Sequence, residues 1–227
     1  MKIAVAQHAL RATPAQDLEA LVAAVARAVS AGADVIVLPA VQAVHDGPLA
    51  DELWRRLEED VPGARVVVAG DEASDEATSD PRGAGPLGRT VSLAGDDTID
   101  PELLETTRSV RPDVALLAPR SEGELQAQAV LELAIGLSTS LAPVVIIAEP
   151  DGAELGEPGH GGSAIVHLGE VIAEAMSGDD LLFADVTLPT APLEPRVHLP
   201  EIPPVLAQRL GAHRGQKIVV DYPADLD

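Results

Sequence analysis

The feature that most constrains the fold of this chain is a strand–turn–helix–strand pattern between residues 87 and 120. An apolar run over 90–94 meets the polar turn 95–97. Asp100 and Pro101 then mark the beginning of a helix, as an N-cap followed by a proline at the first helical position. A second apolar run closes the pattern. Such a chain folds as an α/β protein, and the turns after its strands are where these proteins keep their functional groups.

The same alternation continues on both sides of this pattern. Strands are predicted at nine places: 2–7, 35–38, 65–69, 90–94, 114–118, 144–148, 163–167, 171–175 and 181–186. Helices are predicted after the N-cap Thr13, over 49–57, after Asp100, and from a capping box at Ser121 to about residue 140. Helices alternate with strands first, and strands dominate later. The order predicts an α/β sandwich with its helices packed outside the sheets.

We interpret residues 1–227 as one domain, because this length suits a single core. Two stretches depart from the regular pattern. Residues 70–88 are rich in Asp, Glu, Gly and Pro, which predicts a solvated acidic loop. From residue 189 the sequence is rich in proline, which predicts an irregular tail that lies over the surface.

Composition excludes several classes of partner. The chain has 37 acidic and 15 basic side chains and a formal net charge of −22, so its surface repels nucleic-acid phosphates and anionic lipid headgroups. No apolar stretch reaches the roughly 20 residues that a membrane-spanning helix needs. We therefore expect no nucleic-acid partner and no membrane insertion.

The chain contains no cysteine, which excludes disulfide bonds, thiolate metal sites and a cysteine nucleophile. Lys2 is followed directly by a strand-like run, without the apolar segment and cleavage site of a secretory signal, and we predict a cytoplasmic protein. Neither His45 nor His160 shows metal-ligand spacing, so we expect no metal ion and no cofactor.

Five blocks of sequence, in their order and spacing, resemble the nitrilase, or carbon–nitrogen hydrolase, superfamily: MKIAVAQ (1–7), GADVIVLPA (32–40), TVSLAGDDTIDPE (90–102), RPDVALLAP (111–119) and GGSAIVHLGEVIAEA (161–175). The resemblance implies a four-layer α-β-β-α sandwich that dimerises through helices near the central pattern. It also implies an ancestry of enzymes that cleave amides or nitriles through a thioester intermediate.

The catalytic residues of that family are a glutamate base, a lysine and a cysteine nucleophile. The resemblance puts Ala40 at the glutamate position and Gly95 at the cysteine position. The lysine hairpin is replaced by the acidic loop 70–88, and no lysine occurs between Lys2 and Lys217. A thiolate-type nucleophile needs a base and a group that stabilises the oxyanion. Because this chain lacks all three residues, it should not hydrolyse amides by this route.

Polar side chains near the predicted strand ends are the remaining candidates for ligand binding: His45, Asp96, Asp97, Glu149 and His160. Asp96 and Asp97 suit an acid/base pair or a cation site, and equally a turn and helix cap. Lone histidines are more often surface or hydrogen-bonded residues than ligands. Glu149 would return a carboxylate to a site without a nucleophile.

Because Ala40 and Gly95 are smaller than the residues they replace, we expect a cavity where the first, second, fourth and fifth strands end. Its predicted rim consists of Asp96, Glu149 and His160. The opposite outcome is that neighbouring apolar side chains fill the space, since apolar voids are costly.

Three functions remain open. The first is an inactive protein of this family that acts as a binding, regulatory or assembly partner, with a small molecule as one candidate ligand. The second is an enzyme on a small amide, rebuilt from Asp96, Asp97, Glu149 and a histidine. The third is a structural subunit of an active paralogue. Nearly continuous apolar residues at 133–137 exceed what one sandwich buries, so we predict a homodimer, or a hetero-oligomer with that paralogue.

Overall fold

A computed structural model describes residues 1–41, 48–70, 86–152, 155–156, 159–189 and 198–213. The strands in these residues are β1 (Lys2–Gln7), β2 (Val35–Leu38), β3 (Val66–Val68), β4 (Thr90–Ala94), β5 (Val114–Ala118), β6 (Val144–Ile147), β7 (Ala164–His167), β8 (Glu170–Glu174) and β9 (Asp180–Asp185). The helices are α1 (Pro14–Ser30), α2 (Pro48–Asp60), α3 (Pro101–Val110), α4 (Glu124–Ser140) and α5 (Pro204–His213).

The strands form two sheets. The first has the order β3-β2-β1-β9, in which β1, β2 and β3 are parallel and β9 is antiparallel to β1. The second has the order β4-β5-β6-β7-β8, with β4, β5 and β6 parallel and the last two strands antiparallel. Because parallel neighbours end at the same edge, each sheet gathers the carboxyl ends of three strands.

Three apolar clusters define four layers. The central cluster joins the facing sides of both sheets, for example Val5 and Val37 of the first and Leu116 and Ile146 of the second. The second cluster packs α4 and α5 on the outer face of the second sheet, and the third packs α1 and α2 on the outer face of the first. This arrangement confirms the predicted α-β-β-α sandwich.

Helix beginnings show which local signals are reliable. Thr13 Oγ1 accepts a hydrogen bond from Gln16 N at 3.4 Å, and Asp100 Oδ1 accepts one from Glu102 N at 2.9 Å, so both predicted N-caps are confirmed. The capping box predicted at Ser121 is wrong. The N-cap of α4 is Gly123, and the Ser121 side chain is bonded to a distant carboxylate instead.

The prediction of an irregular tail from residue 189 is wrong for its later part. Residues 190–197 and 214–227 lie outside the described residues, but Pro204–His213 forms helix α5. Pro204 occupies its first position, where the missing N–H of proline costs nothing. The proline density therefore concealed a helix start.

This C-terminal segment also covers the second apolar face of α4. Leu206 of α5 is fully buried in the same cluster as Leu133 and Leu137. Gly136 is approached so closely by Pro200 that a Cβ there would lie 2.7 Å from the proline Cβ. The apolar surplus on α4 is thus buried within the chain, which removes the sequence-based reason for the predicted homodimer.

No helix within the described ranges is long and apolar enough to span a bilayer. Of the predicted acidic loop 70–88, residues 71–85 lie outside the described part of the chain.

Candidate functional site

The ends of four strands meet at one point of the sandwich. An ideal Cβ built on Gly70, just after β3, would lie 3.1 Å from Ala94 Cβ, 3.2 Å from Ala118 Cβ and 3.6 Å from Ala40 Cβ. The Gly70 N–H also donates a hydrogen bond to Ser92 Oγ at 2.6 Å, which joins the two sheets. The Gly70 position has no room for a side chain, and the cluster brings the Ala40 position close to the turn that begins at Gly95.

This packing predicts unequal effects of alanine at two glycines with similar backbones. Gly63 and Gly70 have φ of +82° and +80°, but a Cβ at Gly63 would meet nothing within 4 Å. We expect Gly63→Ala to lower the free energy of unfolding by about 1 kcal/mol, from the left-handed backbone alone. Gly70→Ala should lower it by about 1–3 kcal/mol more, because it also overpacks Ala94 and Ala118. Urea unfolding of both variants measures the difference, and equal losses would show that the strand ends move apart freely.

Gly95 begins the turn after β4 in the left-handed conformation, with φ of +53°. The predicted polar turn is a 3₁₀ helix over Gly95–Ile99, and Thr98 Oγ1 donates a hydrogen bond to the Gly95 carbonyl at 2.6 Å. A Cβ at Gly95 would have no described atom within 4 Å. Among the described residues, nothing occupies the place of a side chain at the position that the resemblance assigns to the nucleophile.

A cavity of about 640 Å³ opens beside Ala40. The described residues that line it are Leu10, Arg11, Ala12, Pro14, Asp17, Ala40, Val41, Arg120, Pro150 and Leu155. They follow strands β1, β2, β5 and β6, so the cavity lies at the carboxyl ends of the strands, where α/β sandwiches place their ligands. The predicted rim residues Asp96, Glu149 and His160 are not among them, and His45 lies outside the described residues.

Glu149 is excluded from the cavity because it is 1% exposed. Its carboxylate accepts hydrogen bonds from the backbone N–H of Ser121 and, at 3.0 Å, from Ser121 Oγ, and the backbone of His160 also contributes one. Burial raises the pKa of Glu149 to about 7, against the hydrogen bonds from Ser121 and His160 and the charge of Arg209, which lower it. Glu149 therefore influences the cavity only indirectly, because it fixes Ser121, the residue that follows Arg120 of the lining.

Asp96 is engaged by a buried arginine of helix α5 that sequence reasoning missed. Arg209 is 7% exposed, and its Nη2 donates to the Gly95 carbonyl at 3.2 Å. Its Nη1 donates to the Arg120 carbonyl at 3.4 Å. Its Nε lies 3.2 Å from Asp96 Oδ1 without making a hydrogen bond, so charge attraction joins these two atoms. Asp97 is exposed on the 3₁₀ helix, as suits a turn residue.

A second polar cluster, also missed, lies on the other wall of the cavity. His8 Nε2 is 2.6 Å from Asp17 Oδ1, and both residues are buried. His8 Nδ1 lies 3.6 Å from Asp179 Oδ1, and Asp179 is also paired with Arg11. The sequence offered one signal for this cluster, which is the position of His8 directly after β1. Because both ring nitrogens of His8 face carboxylates, the cluster is suited to fixing the cavity wall rather than to exchanging protons with a ligand.

No protein-family model matches the chain, and no curated protein matches its sequence. Solved structures do match. Two forms of the amidase from Nesterenkonia sp. AN1, the second described as belonging to the nitrilase superfamily, each match with a TM-score of 0.60 and 18% identity over 82% of this chain, and over 93% and 92% of the amidase, respectively. A third form, with covalent addition of the acetamide moiety of fluoroacetamide at its active site cysteine, matches with a TM-score of 0.63 and 19% identity over 82% and 90%.

These likenesses extend over nearly the whole amidase chain and rest on shape, because identity is low. The amidase has an active site cysteine, whereas this chain has none. Both sheets, their facing apolar sides and the flanking helices described above are the shared architecture. The chain therefore has the fold of the nitrilase-superfamily amidases, without the cysteine.

Proposed function

We propose that this chain is a catalytically inactive member of the nitrilase superfamily that binds a small molecule in the cavity beside Ala40. One observation carries the proposal: the cavity is open, and the residues at the glutamate and cysteine positions cannot take part in catalysis. Ala40 lines that cavity, and no atom of the described residues lies within 4 Å of a Cβ built on Gly95. A cavity of about 640 Å³ is within the size range of small-molecule sites.

The residue types at the catalytic positions support the loss of hydrolytic activity. Neither Ala40 nor Gly95 holds, donates or accepts a proton, and no lysine stands between Lys2 and Lys217. In a catalytic unit of this kind the loss of one member costs on the order of 10⁴–10⁶ in rate, and further losses add little. We therefore assign the chain to binding rather than to hydrolysis.

The second candidate is an enzyme with a rebuilt site, and the observation that favours it is Asp17, a carboxylate in the cavity lining. Asp17 is, however, bonded to His8 and to the backbone N–H of Arg11, at 2.6 and 2.8 Å. A carboxylate that is satisfied in this way stabilises the wall. This support for the enzyme is weaker than the support for a binding protein.

The homodimer and the cytoplasmic location stay predictions. The resemblance supplies the argument for a dimer. The apolar residues of α4 no longer add to it, because Leu206 packs against them within the chain.

A double variant tests whether the site is open. In Ala40→Glu/Gly95→Cys, the new side chains enter the cavity and the free space at the turn, so we expect the free energy of unfolding to fall by no more than about 2 kcal/mol, mostly from the left-handed backbone at Gly95. The control Ala118→Glu, at a residue that is 3% exposed and outside the cavity lining, should cost about 3 kcal/mol or more. Both are measured by urea unfolding.

The same double variant should release no ammonia from small amides, because the lysine is still missing. A loss of about 4 kcal/mol or more in the double variant, typical of overpacking at two filled positions, would contradict the open pocket. Amide turnover by the unmodified chain would contradict the assignment to binding.

A further inference from the structure

The cavity has an uneven balance of charge. Three charged side chains belong to its described lining, and two of them have partners in the chain: Asp17 lies 2.6 Å from His8, and Arg11 is paired with Asp179. Arg120 is exposed, and among the described residues its guanidinium has neither a hydrogen bond nor an ion pair. Of the charged groups in the described lining, Arg120 is therefore the cation that stays available to a ligand, in a chain with a net charge of −22.

The backbone of Arg120 is held in an unfavourable conformation. Its φ is +56°, in the left-handed region that residues other than glycine rarely adopt. The carbonyl of Arg120 accepts a hydrogen bond from the buried Arg209, and the next N–H, that of Ser121, donates to the buried Glu149. Two buried charged groups thus fix the point at which the Arg120 side chain leaves the backbone, as is common where strain serves a site.

The rest of the described lining is apolar. These residues are Leu10, Ala12, Pro14, Ala40, Val41, Pro150 and Leu155. Such walls favour a ligand with an apolar body, and one guanidinium favours a single charged group that it can bind with two parallel hydrogen bonds. A carboxylate fits this description. A phosphate carries more charge and needs more donors than the described lining offers.

We propose that the cavity binds a small monocarboxylate with an apolar body, and that Arg120 holds its carboxylate. The inference rests on the proposed function, because it names the class of ligand that the cavity takes. Asp17 and Arg11 are held by His8 and Asp179, and they shape the wall beside the ligand.

The test compares a carboxylate with its neutral amide. Hexanoate and hexanamide have the same apolar body, and isothermal titration or ligand-observed NMR of the full chain gives their affinities. We expect hexanoate to bind with a Kd of about 1 mM or tighter, and hexanamide roughly 10- to 100-fold more weakly. Inorganic phosphate is the second anion, and we expect no specific binding of it.

Variants at two arginines separate the effect of the Arg120 charge on ligand affinity from any effect on folding. Arg120→Gln should weaken hexanoate binding by roughly 10- to 100-fold and leave hexanamide unchanged. Arg111→Gln is the matched control, because Arg111 is exposed with a φ of +54° but lies outside the cavity lining, and it should change neither affinity. Arg120→Gly suits the left-handed backbone, so it should fold at least as stably as the wild type while losing hexanoate.

The outcomes are distinct. Equal affinity for hexanoate and hexanamide, unchanged in Arg120→Gln, would overturn the carboxylate inference and leave the binding pocket standing. Absence of hexanoate binding, or stronger binding of phosphate, would also overturn it. Hydrolysis of hexanamide by the wild-type chain would instead overturn the proposed function, whichever ligand binds.

Discussion

Replacement of Arg209 by methionine is expected to lower the free energy of unfolding by about 3 kcal/mol. The guanidinium is 7% exposed and donates to the carbonyls of Gly95 and Arg120 beside the charge of Asp96. Methionine keeps the apolar stem of the side chain but leaves these groups without their donor, and unmatched polar groups at such a place are costly. For a chain of this size the loss corresponds to roughly 6–10 °C in Tm.

The matched control for this experiment is Arg55→Met in helix α2. Arg55 also contacts two carboxylates, those of Glu52 and Glu59, but its side chain is 51% exposed. Exposed ion pairs contribute about 0–1 kcal/mol, so this variant should stay within about 1 kcal/mol of the wild type. Thermal and urea unfolding of both variants give the comparison. Equal losses would show that α5 is not held to the strand ends through Arg209.

The second large effect concerns pH and Glu149. Burial raises its folded-state pKa from 4.5 to about 7, so the native state holds a proton that the unfolded state has already released. The stability gained in this way is fully present below about pH 4.5, declines as the pH rises, and is lost above the folded pKa near 7. A difference of this size corresponds to roughly 3 kcal/mol.

Glu149→Gln is the variant that isolates this titration. Glutamine still accepts from the Ser121 N–H, and its amide donates to Ser121 Oγ, but it does not ionise. Relative to this variant, the wild type should lose roughly 3 kcal/mol of stability between about pH 4.5 and pH 8, and the comparison removes the contribution of the many other carboxylates. Unfolding curves across this range measure it. Parallel curves for the two proteins would show that Glu149 ionises in the native state with an ordinary pKa.

The elements that could be predicted from sequence depend on neighbouring residues. Thr13 and Asp100 cap helices through bonds to N–H groups two or three positions away, and the apolar run of β1 and the apolar period of α1 need only their own segments. The layered architecture followed from the order of these elements and from the resemblance. Short-range physics therefore accounts for most of the fold.

The site was predicted less well because its contacts join distant parts of the chain. Ser121 was taken for a helix cap, but Glu149, 28 positions later, binds its side chain. Arg209 lies 114 positions from Gly95, in a helix concealed by prolines. Arg120 had one local signal, a cation directly after the strand-ending Pro119, but its backbone conformation is set by Arg209 and Glu149 and could not be read from its neighbours.

We propose an open pocket without hydrolytic activity, and ammonia release tests this proposal most directly. An ordinary enzyme turns over at about 10 s⁻¹, and loss of its catalytic unit removes a factor of about 10⁴–10⁶. With acetamide, butyramide and hexanamide as substrates, we expect the wild-type chain to release ammonia at no more than about 10⁻³ s⁻¹ per molecule, indistinguishable from buffer. A rate near 1 s⁻¹ that disappears in Asp17→Asn or Arg120→Gln would contradict the claim and identify a rebuilt enzyme.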